Sequence, residues 1–220
     1  MKGVGFGVGC VVVGVILLLA ASCAQPSRGA RSLTPEEART LAPEEAKAEL
    51  RKREIFFSRK SFLQSAAKRD LVAVNLFLAG GIDINARDES GASVLSQVVS
   101  PAHKEVAKLL IDNGADVNIH SDTAHSALWN AAQFGDVELV RILLAKGADP
   151  NYASPLKQTL GKTPLMIASD HGKTEMVEAL LAHGADPDLR DSRGNTAWSL
   201  ARNKGHNEVI ELLEYVSAAH

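Results

Sequence analysis

Apolar positions fall into two regimes along the chain. From Gly3 to Ser22 no charged residue interrupts the sequence, and Val11 to Ala21 is its most apolar part. From about residue 60 onward, apolar residues recur at helical spacing in blocks separated by glycine and polar residues. Val106, Leu109 and Leu110; Val140, Leu143 and Leu144; Val177, Leu180 and Leu181; and Val209, Leu212 and Leu213 each fall on one face of a helix. Four five-residue echoes punctuate the blocks: Gly81-Ile82-Asp83-Ile84-Asn85, Gly114-Ala115-Asp116-Val117-Asn118, Gly147-Ala148-Asp149-Pro150-Asn151 and Gly184-Ala185-Asp186-Pro187-Asp188. Their glycines are 33, 33 and 37 residues apart. A period of this size predicts stacked units, none of which can bury its apolar face alone.

Within each unit the punctuation has physical reasons. Ser or Thr stands before the first helix of a unit, in Ser61-Phe62-Leu63, Ser93-Val94-Leu95, Ser126-Ala127-Leu128, Thr163-Pro164-Leu165 and Thr196-Ala197-Trp198. There its hydroxyl can accept an orphan backbone amide. Paired small residues, Ala66-Ala67 and Ala131-Ala132, let two helices approach closely. The glycine after each second helix suits the left-handed conformation that ends it, and the Asp two residues later can hold the turn that follows. Ahead of the repeats, Thr34-Pro35-Glu36-Glu37 predicts a capped helix start and Pro43-Glu44-Glu45 a second one. Ala46, Leu50 and Phe57 form the apolar stripe of this lead-in.

From Lys60 to Val216 the sequence resembles the ankyrin-repeat family, most closely in Gly161-Lys162-Thr163-Pro164-Leu165 with Ala168, Gly172 and the run from Leu180 to Asp186. The resemblance implies an all-α ankyrin-repeat solenoid of about five helix-turn-helix units with β-turn fingers, preceded by a short helical cap. The chain then divides into a signal segment (1–22), a flexible tether (23–33), a helical cap (34–59) and the repeat domain (60–220). Its units run about 60–87, 88–120, 121–153, 154–190 and 191–220. Several departures from the family stand out. Gln64, Ser96, Trp129, Met166 and Ser199 occupy the place of its usual histidine, so packing is expected to replace that hydrogen-bond network. Val98-Val99 replaces the small pair in the second unit, and Pro101 predicts a short or distorted helix there. The first unit reads as one residue short near Asp70, and four extra residues lie within Tyr152–Leu160.

The N-terminal segment reads as an address. Lys2, an apolar run and then small residues form a secretory signal pattern. Gly3, Gly5, Gly7, Gly9 and Gly14 weaken the alternative of an uncleaved membrane helix. Leu19-Ala20-Ala21-Ser22-Cys23 resembles the lipobox of bacterial lipoproteins, although Ala20 replaces the commoner leucine. The resemblance implies lipid on Cys23 and, with Ala24 following, an outer-membrane destination; cleavage after Ala24 is the plainer reading. Cys10 would leave with the signal, so the mature domain would hold no disulfide.

Composition narrows the function. A net charge of −2 offers no electrostatic grip on nucleic acid, and 5% aromatic residues are too few for a base-stacking platform. Neither a nucleophile elbow nor a phosphate-cradling glycine loop occurs. His103 and His206 read as turn residues; His120, His125, His171 and His183 lack metal-ligand spacing, although His125 and His171 could approach one another. The chain therefore reads as no enzyme, with no cofactor, metal or small-molecule substrate. The family resemblance implies a protein partner on the concave face. On this sequence its recognition positions fall on Glu89, Ser90, Ala92, Asp122, Thr123, His125, Gln133, Phe134, Lys162, Asp170, His171, Ser192, Arg193, Asn195, Asn203 and Lys204, and Tyr152 lies in the lengthened finger beside them. An inhibitor or immunity-like protein that occludes one enzyme's active site is the alternative, and a purely structural envelope tether a third.

Overall fold

The computed structural model describes residues 32–121 and 125–218; the signal segment and Cys23 lie outside them. Two helices lead. In α1 (Pro35–Arg39) the Thr34 hydroxyl accepts the Glu37 amide while the Glu37 carboxylate accepts the Thr34 amide, the reciprocal cap the sequence predicts. α2 (Pro43–Lys52) also opens on proline and buries Ala46 and Leu50.

Ten further helices alternate between two layers. The first layer holds α3 (Arg59–Ala67), α5 (Val94–Val98), α7 (Ala127–Phe134), α9 (Pro164–Asp170) and α11 (Ala197–Lys204). The second holds α4 (Leu71–Ala79), α6 (Lys104–Asp112), α8 (Val137–Ala145), α10 (Thr174–Ala182) and α12 (Asn207–Ala218). Each helix packs on its neighbours within its own layer, and each unit pairs one helix from either layer. Among the described residues there is no strand, only an isolated antiparallel bridge between Arg87 and Ser93. No helix of the described residues is long and apolar enough to cross a membrane.

Burial follows the predicted stripes. Val106 and Leu110, Val140, Leu143 and Leu144, Val177 and Leu180, and Val209 and Leu213 are buried, whereas Leu109, Leu181 and Leu212 of the same stripes stay partly exposed. α4 is apolar on almost every side, which a helix tolerates only when it is covered from several directions. It faces α3, α6, α1 and α2 at once. The Phe57 ring, beyond the end of α2, sits 5.5 Å from that of Phe77 in α4.

Register between units is written in side-chain amides. Asn85, Asn118 and Asn151 each accept, through Oδ1, the backbone amide of Asp116, Asp149 and Asp186 in the following unit, at 2.8–2.9 Å. The Nδ2 groups of Asn118 and Asn151 donate to the carbonyls of Gly147 and Gly184. Within each echo the Asp carboxylate accepts the amide two residues on, as in Asp116 to Asn118, and Gly81, Gly114, Gly147 and Gly184 hold φ of 82–85°.

Of the predicted departures, one holds and one does not. The second unit's helix α5 does end after five residues and gives way to a 3-10 turn at Pro101–His103, as Pro101 predicts. The first unit, however, is not short. Its inter-helix turn repeats that of the third unit: Arg69 bonds Ala66 and Asp70 bonds Ser65, as Gly135 bonds Ala132 and Asp136 bonds Ala131. The close-packed pair is therefore Ser65-Ala66, with Ala67 exposed, and the helix cap is Ser58 rather than Ser61. Arg69 takes φ 59° where glycine stands in the third and fifth units.

The second layer carries an ionic ladder across units. Lys104 pairs with Asp136 and Glu138, Lys108 with Glu138, and Arg141 with Glu175. Hydrogen bonds from Lys104 and Lys108 pull the Glu138 carboxyl down to about 2 from the usual 4.5. A lowered acid pKa adds stability that is present above the unfolded value and lost as the folded value is approached. Melting temperatures of the wild type and Glu138→Gln, measured against pH, should differ above pH 4.5 and converge as pH falls toward 2. A gap that stays constant through that window would contradict the assignment.

Candidate partner-binding face

Successive units extend a finger between one second helix and the next first helix. In the second unit Asp88 organises the finger: its Oδ1 accepts the Ser90 amide at 2.8 Å, the Ser90 hydroxyl at 2.6 Å and the Ala92 amide at 3.0 Å. In the fifth, buried Asp191 accepts the Arg193 and Asn195 amides and the Asn195 side-chain amide. Burial pushes both carboxyls up, but these hydrogen bonds outweigh it and hold them below the usual range. Glu89 and Arg193 are left exposed at the tips. Asn195 serves the turn instead of facing outward, and Ala92 is buried.

The fourth finger, which carries the extra residues, is gripped from the third unit. The His125 ring lies flat on Trp129, with centroids 3.7 Å apart, and its Nδ1 bonds the buried Ser154 hydroxyl at 2.7 Å. Burial lowers the His125 pKa. Trp129 Nε1 donates to the Lys162 carbonyl at 2.9 Å. Trp129 thus restores, across a unit boundary, a polar bond at the place of the missing histidine. Packing alone was expected there, and the indole N–H corrects that expectation. In the second and fifth units Ser96 and Ser199 at that place donate to the Ser93 and Thr196 carbonyls. In the first unit the shift of register puts Leu63 there rather than Gln64.

His103 and His206 are more than turn residues. His103 Nε2 bonds the Ala67 carbonyl at 2.9 Å, and His206 Nε2 bonds the Asp170 carbonyl at 3.1 Å, each reaching the preceding unit. Gly172 makes room for the second bond: a Cβ there would lie 2.5 Å from the His206 ring. His125 is committed to Trp129 and Ser154 rather than to His171, which is exposed. Among the described residues no group of three or more His, Cys, Asp or Glu side chains is placed to hold a metal.

The remaining recognition positions divide cleanly. Gln133, Phe134, His171, Ser192, Asn203 and Lys204 are exposed, Phe134 by 53%. Lys162 and Asp170 bind each other at 2.7 Å and are half-buried. The Tyr152 ring lies 4.2 Å from His120. Asp122 and Thr123 lie outside the described residues. Phe134 borders a depression of about 300 Å³ that it shares with Gln97, Val99, His125, Asn130 and Leu156. Sequence reading missed Trp129, His103, His206 and the asparagine ladder as bridges between units. The signal was present in the asparagines, which recur at the unit period opposite one another.

Trp129→Phe keeps an aromatic ring beside His125 but removes the shorter of two hydrogen bonds to the Lys162 carbonyl, leaving only the Ser154 amide at 3.3 Å. Urea denaturation should show a loss of about 0.5–1.5 kcal/mol, with faster amide exchange across residues 154–162. Unchanged stability and exchange would show that the indole bond contributes nothing.

No curated protein matches the sequence. A family model described as ankyrin repeats in three copies matches residues 62–154 and again 152–218, most of the two-layered stack. With alternating capped helices, left-handed glycines and Asp-bound turns repeating across that same span, the chain belongs to the ankyrin-repeat family.

Proposed function

We propose that this protein is a non-catalytic binding module of a bacterial cell envelope, held at the membrane by lipid on Cys23, which receives a protein partner on the concave, first-layer face. Ankyrin repeats are protein–protein interaction modules, and the finer reading rests on one observation. Phe134 is a half-exposed aromatic beside a depression that Gln97 and Asn130 also line, their side-chain N–H groups donating to the Ala92 and Ser96 carbonyls. A large apolar side chain flanked by hydrogen-bonding groups is the composition of an interface hot spot. The sequence ending in Cys23 supports the anchor, because two or more acyl chains hold a protein stably where one does not.

The inhibitor reading draws on the lengthened fourth finger. Ser154, Thr159 and the 3-10 turn at Lys157–Thr159 brace it into a fixed projection of the kind that fills an enzyme cleft.

Crosslinking in the producing bacterium, followed by membrane fractionation, tests the reading with three chains. The wild type is expected at the membrane with a crosslinked protein. Cys23→Ser should move to the soluble fraction with its melting temperature unchanged, and Phe134→Ala should stay at the membrane and lose most of the crosslinked partner. A Cys23→Ser chain that stays membrane-bound overturns the lipid anchor, and a partner indifferent to Phe134→Ala overturns the face.

A further inference from the structure

We propose that a row of side chains, one per unit, selects a partner segment that is apolar at its centre and acidic about six residues to either side. The row is Lys68, Pro101, Phe134, His171 and Lys204, and the proposal rests on the reading that a protein occupies the first-layer face.

The five residues hold one structural place. Phe134 and Lys204 are the last residues of α7 and α11, Lys68 and His171 are the residues on which α3 and α9 terminate, and Pro101 follows the shortened α5. They are 33, 33, 37 and 33 residues apart, and all five are exposed. Because α3, α5, α7, α9 and α11 pack in sequence, equivalent positions line up along the stack.

The row's own residues run from cationic ends to an uncharged middle, although the exposed Lys173 side chain reaches Gly135 beside Phe134. α5 and α7 contain no charged residue, and the depression beside Phe134 is walled by Val99 and Leu156. Lys68 and Lys204 close the row, and neither makes an ion pair among the described residues.

The neighbouring carboxylates are accounted for. Asp70 takes the Ala73 amide, Asp136 takes the Leu139 amide and Lys104, and Asp170 is paired with Lys162. Glu105 shares a surface depression with both Lys68 and Arg69, so that end keeps a positive balance. At the other end Arg202 lies over the Trp198 ring, whose Nε1 donates to Glu214, so that cation has its own carboxylate close by and Lys204 stands without one.

Spacing turns this gradient into a rule. Packed helices lie about 8–10 Å apart, so Phe134 is two steps, roughly 20 Å, from either lysine. An extended chain rises about 3.3 Å per residue and covers that distance in about six residues. A segment with an aromatic or aliphatic residue at the Phe134 depression therefore carries its sixth neighbours to Lys68 and Lys204. Carboxylates at those places are attracted, and basic residues are repelled at both ends.

Panning a phage-displayed library of random 16-residue peptides on the immobilised full-length chain tests this directly. Enriched peptides are expected to carry an apolar centre with Asp or Glu about six positions away on both sides. In fluorescence anisotropy their affinity should fall at least about tenfold with Phe134→Ala. It should fall about three- to tenfold with Lys68→Glu or Lys204→Glu, and weaken as salt is raised. Circular dichroism identifies any variant that fails to fold, and Lys204→Gln, which removes charge without reversing it, then serves in its place. Peptides that need Phe134 but lack acidic flanks overturn the charge rule and leave the binding face standing. Peptides indifferent to all these changes, or no enrichment, overturn the row and the face together.

Discussion

No unit of this protein can cover its own apolar surface, and that constraint organises everything else. Two short helices joined by a tight turn leave one flank of Val and Leu open, and only the next pair closes it. Each fully buried Leu contributes about 1.5–3 kcal/mol, against about 1 kcal/mol for a typical hydrogen bond. Burial therefore supplies the driving force for stacking, and the carboxamides of Asn85, Asn118 and Asn151 supply the register at which it stops. At the first unit the same demand is met by α1 and α2, which lie on α4 in place of another repeat.

This division of labour decides which side chains are left for recognition. Finger turns consume Asp88, Ser90, Asp191 and Asn195, the bracing of the fourth finger consumes His125, Trp129 and Ser154, and Lys162 is held by Asp170. Among the positions the fold leaves unassigned is the outward one at the end of each first helix. There residue identity varies from lysine to proline, phenylalanine, histidine and lysine without disturbing the core. The stack thus resembles a rack with fixed spacing on which chemistry is hung at intervals.

Most of the fold was legible in the sequence because its signals are local. A Ser or Thr cap, a glycine in the left-handed region and an Asp that bonds two residues ahead each act within one turn of chain. The first unit was misjudged where two local signals competed. Ser61 looks like the cap, yet Ser58 takes the role, and Arg69 accepts a left-handed conformation that costs a non-glycine residue roughly 1–2 kcal/mol. The bridges made by Trp129, His103 and His206 were hidden for the opposite reason. Their partners lie 33–36 residues away, in another unit, where no local pattern points. The recognition positions were located by family analogy, which cannot tell an outward lysine such as Lys204 from an inward-paired one such as Lys162.

The shared core is tested most directly by removing part of it at the centre of the stack. Leu143 is fully buried in α8 of the third unit. Leu143→Ala should lower unfolding free energy by roughly 2–5 kcal/mol. Native-state hydrogen exchange should lose protection in α6 and α10 as well as in α8. A negligible change in stability, or a loss of protection confined to the third unit, would mean that the units do not hold one another up.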